Sequence, residues 1–334
     1  MALFEREVDL TGANTLRLPC VADFAARPKT VNELRRVLEV CRADRLPITL
    51  LGGGSNVLLP ERLAGMAITP AFDQWWIERR GSEATALVGA GANWHELVMT
   101  LAERGWWGLE NLALIPGSCG AAPVQNIGAY GVELGDALEG VQVMELATGG
   151  VRWLARDECE LGYRDSVFKR ALAGRVVILR LALRLSRQAA PRLDYGDLAR
   201  RVTGTPTPLA VAEAVCSTRR EKLPDPRELA NAGSFFKNPV VERATAEALL
   251  ARYPDMPCFA QPGERCKLAA GWLIDRCGLK GTRRGAFGVH ERQALVLVHF
   301  GGGTREALLD FAHGIADTVQ ARFGVHLEPE PRCV

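Results

Sequence analysis

One glycine-rich stretch, Leu114 to Gly131, reading LIPGSCGAAPVQNIGAYG, limits what this chain can fold into more than any other. Seven residues from Gly117 to Gly131 are Gly or Ala, interleaved with Ser118, Gln125 and Asn126 and preceded by Pro116. The stretch follows neither a helical nor a strand period. Small side chains let a backbone approach a flat or phosphorylated group and turn N–H groups toward it. An ordinary set of turns reads the same way. A second small-residue turn, Leu51-Gly52-Gly53-Gly54-Ser55-Asn56, occurs earlier. Two such turns can close on one cofactor from two sides. Neither a GxGxxG opening a helix nor a GK[ST] loop is present, so a phosphate is expected on a strand–turn–strand element.

With 334 residues the chain has room for two or three domains. A formal charge of +2 gives no electrostatic case for nucleic acid, and no apolar run approaches a membrane span. The start, MALFEREVDL, lacks the apolar core of a signal peptide, so a cytoplasmic protein is expected. Nine scattered cysteines with no CxxC suggest neither a zinc site nor a disulfide framework. No metal is expected from the five dispersed histidines.

Along the chain, Thr30 and Glu33 form a capping box before a helix over 30–45 with Leu34, Val37, Leu38 and Cys41 on one face. Strands are expected at 47–51, 57–59 and 85–89. Asn93 caps a helix bearing Trp94, Leu97, Val98 and Leu101. Strands at 139–147 and 151–155 flank the hairpin turn Thr148-Gly149-Gly150, and a long strand covers 175–185. The pattern changes near residue 205. Helices are expected at 209–221, at 266–276 with Leu268, Trp272 and Ile274 in the core, and from the Thr304 cap to Phe323, with a strand at 294–298. This reads as a flavin- or nucleotide-type domain pair followed by a smaller α+β domain.

Three constellations carry chemistry. In Gly162-Tyr163-Arg164-Asp165-Ser166, Arg164 can fork a carboxylate or form a surface ion pair with Asp165 or a neighbour. In Asn231 to Pro239, Gly233 leaves Ser234 prominent beside Phe235 and Phe236. That serine suits a proton donor, a nucleophile or a cap, and Ser234 with Lys237 matches the SxxK pair of serine acyl-enzymes. The tail holds Glu328, Glu330 and Arg332, with Pro329 and Pro331 stiffening it; if extended, the three lean to one side.

Taken in order, GGGSN, GAGANWHELV, GLENLALIPGSCGAAPVQNIGAYG, YRDSVFK, NAGSFFKNP, GWLID with GLKG, QALVL and LEPE resemble one family. It is the UDP-N-acetylenolpyruvoylglucosamine reductase (MurB) family of peptidoglycan precursor synthesis, in the branch with an extra tyrosine-bearing loop. The resemblance spans nearly the whole chain and implies an α+β architecture, the FAD-binding fold of the vanillyl-alcohol-oxidase-like flavoproteins. Its expected parts are two FAD-binding subdomains (1–75 and 76–205), a substrate domain (206–326) and a tail (327–334) returning to the active site.

The resemblance also implies the chemistry. NADPH reduces FAD; the enolpyruvyl ether of the UDP-sugar then takes a hydride at C3 and a proton at C2, giving UDP-N-acetylmuramate. Ser234 matches the proton donor, Arg164 the catalytic arginine and Glu330 the catalytic glutamate. Gly52, Gly53, Gly54, Ser55 and Asn56 would lie by the FAD diphosphate. Pro116, Gly117, Ser118, Gly120, Ala121, Gln125, Asn126, Gly128 and Ala129 would lie by the isoalloxazine and diphosphate. Tyr195, Lys222, Asn238 and, less closely, Gln293 match positions that contact the UDP part or the sugar. A monomer with non-covalent FAD is expected, Cys119 being the loop's one candidate for a thioether link. The chain departs from the family at Pro331, where LEPEVR is usual, and at His299, where a polar amide is common. The alternatives are another FAD oxidoreductase of this fold, a serine acyl-enzyme on Ser234 and Lys237, and a non-catalytic nucleotide-binding protein.

Overall fold

In the computed structural model, which describes residues 3–334, local capping signals start three of the helices. Thr30 Oγ accepts from the Glu33 amide at 3.1 Å and the Glu33 carboxylate reaches back to the Lys29 amide at 2.7 Å, opening Val31–Ala43. Asn93 opens Trp94–Glu103 and Thr304 opens Arg305–Phe323 by the same three-residue reach. Each such cap contributes about 1 kcal/mol.

The chain divides into two units, both built from discontinuous segments. The first holds Met1–Val8, Ala22–Gly54 and Leu63–Glu221; the second holds Asp9–Val21, Ser55–Arg62 and Lys222–Val334.

In the first unit a four-stranded sheet runs Glu5–Asp9, Val21–Ala26, Arg62–Ile68, Ile48–Leu50. An antiparallel five-stranded sheet runs Val151–Ala155, Leu138–Glu145, Val176–Ser186, Glu83–Gly89, Trp75–Arg80. The central strand reads VVILRLALRLS because both its faces are covered. Val176, Ile178, Leu181, Leu183 and Leu185 join the core over Trp94–Glu103, whereas Val177 and Leu179 join the core of Val31–Ala43. The expected hairpin forms at Gly149, whose φ of +71° suits glycine, with Met144 opposite Val151.

In the second unit a four-stranded sheet runs Ala230–Ser234, Val296–His299, Phe287–Val289, Arg283–Arg284. A three-stranded sheet runs Val240–Glu242, Arg265–Leu268, Cys258–Gln261. The helix expected over 266–276 is therefore shorter. Residues Arg265–Leu268 are a strand paired on both sides, and the helix is Ala270–Arg276. Burial across this strand rises from exposed Arg265 to buried Leu268 without alternating, so its two strand partners and not a local period make it a strand. The strand expected at 294–298 begins at Val296. His299 is a core residue. Its ring stacks on Phe287 at 4.8 Å, Nδ1 lies 2.7 Å from the Leu16 carbonyl, and Nε2 accepts from the Gly303 amide at 2.9 Å. Among the described residues no helix is long and apolar enough to cross a membrane.

Candidate active site

In the first unit the organising loop is pinned to the start of Trp94–Glu103. The Trp94 amide donates to the Gly117 carbonyl at 3.1 Å, Cys119 N to Ala92 O at 2.8 Å, and Gly120 N to Ala90 O at 2.8 Å. His95 Nδ1 accepts from the Leu114 amide at 3.0 Å. Leu114, Asn126 and Tyr130 all sit at positive φ (58°, 46° and 49°), which non-glycine residues adopt only where surroundings impose it.

The two small-residue turns touch each other. A Cβ on Gly52 would stand 2.8 Å from Ala121 Cβ and Ser118 Oγ, and one on Gly53 would stand 2.7 Å from Gly117 Cα. These glycines therefore serve first to pack turn on turn. Packed so, the turns leave the amides of Gly52, Gly53, Gly54, Gly117 and Ser118 with no protein acceptor among the described residues. Five neighbouring unsatisfied donors suit the oxygens of a diphosphate. Ser55 and Asn56, next in the chain, belong to the second unit.

Asn126 Oδ1 accepts from the Gly135 amide at 2.9 Å, and its Nδ2 donates to Glu133 at 2.7 Å and to the Gly162 carbonyl at 3.1 Å. It thereby ties the organising loop to the Arg164 turn. Arg164 has φ 55° and its Nη2 donates to the Gly128 carbonyl at 3.1 Å. Its own carbonyl accepts from Lys169 Nζ at 3.0 Å, and Ser166 Oγ donates to the Val124 carbonyl at 2.6 Å. Asp165 is ion-paired with Arg170 instead of Arg164.

Arg219, in the last turn of Pro208–Lys222, gives no sequence signal of its own. Its Nε is buried with no acceptor, and the groups that act on it electrostatically are Tyr130, Cys216 and Arg164. Burial pushes its pKa down, and the Arg164 charge adds to that. A buried guanidinium nitrogen without an acceptor is costly, and such a nitrogen suits an anionic group. Tyr130 meets Tyr195 edge-on at 5.7 Å, and burial pushes the Tyr130 phenol up; Tyr195 itself is 54% exposed.

In the second unit Gly233, at φ 70°, donates to Asn231 Oδ1 at 2.8 Å, and the pairing slips between Asn231 and Ser234 before Ser234 meets Val296. Such a bulge re-aims a side chain. Phe235 and Phe236 behind it are buried. The tail runs antiparallel to this segment. Glu330 N donates to Phe235 O at 2.7 Å, Phe236 pairs with Pro329, and Lys237 N donates to Glu328 O at 2.9 Å. Lys237 Nζ lies 3.1 Å from the Glu328 carboxylate, so the SxxK lysine is engaged away from Ser234. Beyond Pro331, Arg332–Cys333 pairs in parallel with Val57–Leu58, and Asn56 Nδ2 donates to the Glu330 carbonyl at 3.4 Å. Pro331 is thus seated in a tail held on both sides of Glu330. Asn238 Oδ1 accepts from the Ala270 amide at 3.0 Å and Gln293 Oε1 from the Leu295 amide at 3.4 Å, leaving both amide nitrogens to donate. Lys222 is exposed and makes no ion pair among the described residues.

Two family models match the chain. Residues 22–155 match an FAD binding domain and residues 225–334 match the UDP-N-acetylenolpyruvoylglucosamine reductase C-terminal domain. The chain is 47% identical over 333 residues to the UDP-N-acetylenolpyruvoylglucosamine reductase of Cupriavidus pinatubonensis, covering 99% of each. It is 45% identical over 339 residues to that of Ralstonia nicotianae, again covering 99% of each. The crystal structure of the Thermus caldophilus enzyme superposes with a TM-score of 0.69 at 26% identity, covering 99% of this chain and 98% of that one. A solvent-stable cholesterol oxidase superposes with a TM-score of 0.50 at 13% identity, covering 95% and 85%, a likeness of fold alone. The fold is the FAD-binding fold of the vanillyl-alcohol-oxidase-like flavoproteins. With the glycine turns, the Ser234 segment and the tail in place, the chain belongs to the UDP-N-acetylenolpyruvoylglucosamine reductase family.

Proposed function

We propose that the chain reduces UDP-N-acetylglucosamine enolpyruvate to UDP-N-acetylmuramate with NADPH and FAD, in peptidoglycan precursor synthesis, acting as a cytoplasmic monomer. The observation that carries this is the antiparallel ladder from Phe235–Lys237 to Glu328–Glu330. It sets a hydroxyl and a carboxyl on adjoining strands, the pair that protonation of a carbanion needs. Residues 1–205 are read as the flavin subdomains and 206–334 as the substrate domain with its tail.

When bound, FAD would supply the hydride chemistry between NADPH and C3 of the enolpyruvyl group. The protein's work is to hold charge and to deliver a proton. As the hydride reaches C3, negative charge develops on C2 and its carboxylate. Arg164 offsets that charge, held in its strained turn by Lys169, Ser166 and Asn126. Ser234 gives its proton to C2, and Glu330 orients and shares that proton. Serine is a poor acid in water, but a carboxylate-derived enolate is a stronger base than an alkoxide. The unsatisfied amides of Gly52–Gly54, Gly117 and Ser118 take the cofactor diphosphate. Tyr195, Lys222, Asn238 and Gln293 take the UDP part and sugar.

The test is direct. The purified protein is expected to show a flavin spectrum and to oxidise NADPH when given the UDP-enolpyruvyl sugar; a colourless protein, or a yellow one indifferent to that sugar, overturns the reading. Acid precipitation should release all the colour. Cys119 is fully buried and burial pushes its thiol up to about 12, so almost no thiolate exists near neutral pH to attack the cofactor. Colour that stays in the pellet and is lost in Cys119→Ser contradicts this.

Arg164→Lys keeps a cation but loses the planar fork. A drop of at least about 10²-fold in enolpyruvyl reduction is expected, the scale of losing one oriented charge donor. FAD content should stay intact. A protein isolated without FAD would make Arg164 a cofactor or structural residue.

A further inference from the structure

Asn111 is 1% exposed and lies in the short turn Glu110–Leu112. Its amide donates to the Tyr130 carbonyl at 3.0 Å and to the Arg192 carbonyl at 2.8 Å. Both hydrogens of the amide are thereby used on two segments far apart in sequence. Tyr130 belongs to the organising loop. Arg192 lies three positions before Tyr195, whose ring abuts Tyr130. Among the described residues, the Arg192 carbonyl is the one backbone group between residues 189 and 196 bonded to a residue distant in sequence; the Tyr195 carbonyl accepts locally, from the Leu198 amide at 3.4 Å. The other polar tie is an exposed ion pair, Arg192 with Asp136 at 2.9 Å, of a kind worth little in water. The Glu110 carboxylate, itself buried, accepts from the Gly108 amide at 2.7 Å and steadies the turn that carries Asn111.

We propose that Asn111 is a positioning residue, a pin that fixes the Tyr195 segment to the organising loop and so presents Tyr195 to the UDP-sugar. The part about substrate rests on the reading of Tyr195 above; the pin itself does not. Without the pin the segment samples other positions, and each binding event must first order it, which weakens apparent affinity by the fraction of time it is out of place.

The experiment uses the FAD-loaded enzyme with Asn111→Ala and, to preserve shape, Asn111→Asp, whose ionised carboxylate has no hydrogen to donate. FAD content and melting temperature are recorded first, and the variant that keeps wild-type FAD content is used. Limited trypsin digestion then reads cleavage after Arg192, which should speed up several-fold. Equilibrium binding of the UDP-enolpyruvyl sugar should weaken about tenfold, the scale of one lost hydrogen-bonded contact. In a Tyr195→Ala background the further loss should shrink below about twofold, because the pin then has nothing to present. Unchanged cleavage after Arg192 overturns the pin. Faster cleavage with fully additive binding losses overturns its service to substrate. If Tyr195→Ala alone leaves binding unchanged, the reading of Tyr195 fails separately, and the pin stands or falls on the cleavage rates.

Discussion

Ser234→Ala is expected to leave NADPH-driven bleaching of the flavin near normal while slowing its reoxidation by the UDP-enolpyruvyl sugar at least about 10²-fold, the typical cost of losing a general acid. The two half-reactions ask different things of the protein. Reduction of the cofactor needs no proton at a substrate carbon, whereas reduction of the enolpyruvyl group does. Ser234 sits at a slip in the pairing of Ala230–Ser234 with Val296–His299, above two buried phenylalanines, so exchanging its hydroxyl for hydrogen disturbs no packing. Gly233, at φ 70° and held by Asn231, continues to set the turn. Stopped-flow traces are the measurement. If bleaching slows as much as reoxidation, Ser234 acts on nucleotide binding and not on C2.

Local signals in the sequence were legible wherever a few neighbouring residues decide the outcome. Thr30, Asn93 and Thr304 start helices because a cap needs only its own side chain and an amide three residues on. The hairpin at Gly149 is equally local. Leu268 and Trp272 keep helical spacing, which predicts helix from 266 onward, yet strand partners on both sides of Arg265–Leu268 override it. Such pairing is non-local and leaves no short-range trace. The same holds for the interleaving of the two units, in which Ser55–Arg62 leaves the segment that precedes it and joins the C-terminal half.

At the candidate site, the motif residues were legible as types but not their supports. GGGSN and PGSCG suggested two turns facing a ligand; the glycines are needed as much for the turns to touch each other. YRDS offered Asp165 as the arginine's partner, and Arg170, five residues on, takes it. Asn126 matches a cofactor position of the family, and its side chain also binds Gly135, Glu133 and the Gly162 carbonyl, a supporting role that no motif reveals. Arg219, Asn111 and Tyr130 carry no motif. Arg219 is found through a buried Nε without acceptor, and Asn111 through two carbonyls, neither of which periodicity or spacing can reveal.

Glu328 and Glu330 are two residues apart in one extended tail, and the structure holds them by different bonds. Glu328 is half-spent on stability: its carbonyl and its carboxylate both meet Lys237, at 2.9 and 3.1 Å. Its side chain is 64% exposed, so this ion pair is worth less than about 1 kcal/mol, and Glu328→Gln should barely move melting temperature or rate. Glu330 is fixed instead through its backbone, by Phe235 O on one side and Asn56 on the other, in register with the strand that carries Ser234. Glu330→Gln keeps those backbone bonds and the side-chain volume, and removes the negative charge together with the ability to hold or share a proton. Reoxidation of the reduced flavin by the UDP-enolpyruvyl sugar should fall by about 10²-fold or more, with bleaching by NADPH and thermal stability unchanged. Deleting residues 330–334 is a blunter test, since it also removes the pairing of Arg332–Cys333 with Val57–Leu58 and the bond from Arg305 to the Val334 carbonyl at 3.0 Å. A Glu330→Gln enzyme that makes UDP-N-acetylmuramate at the normal rate would leave the tail with a structural task alone; one that reoxidises slowly, beside a normal Glu328→Gln, places the proton chemistry on the second glutamate.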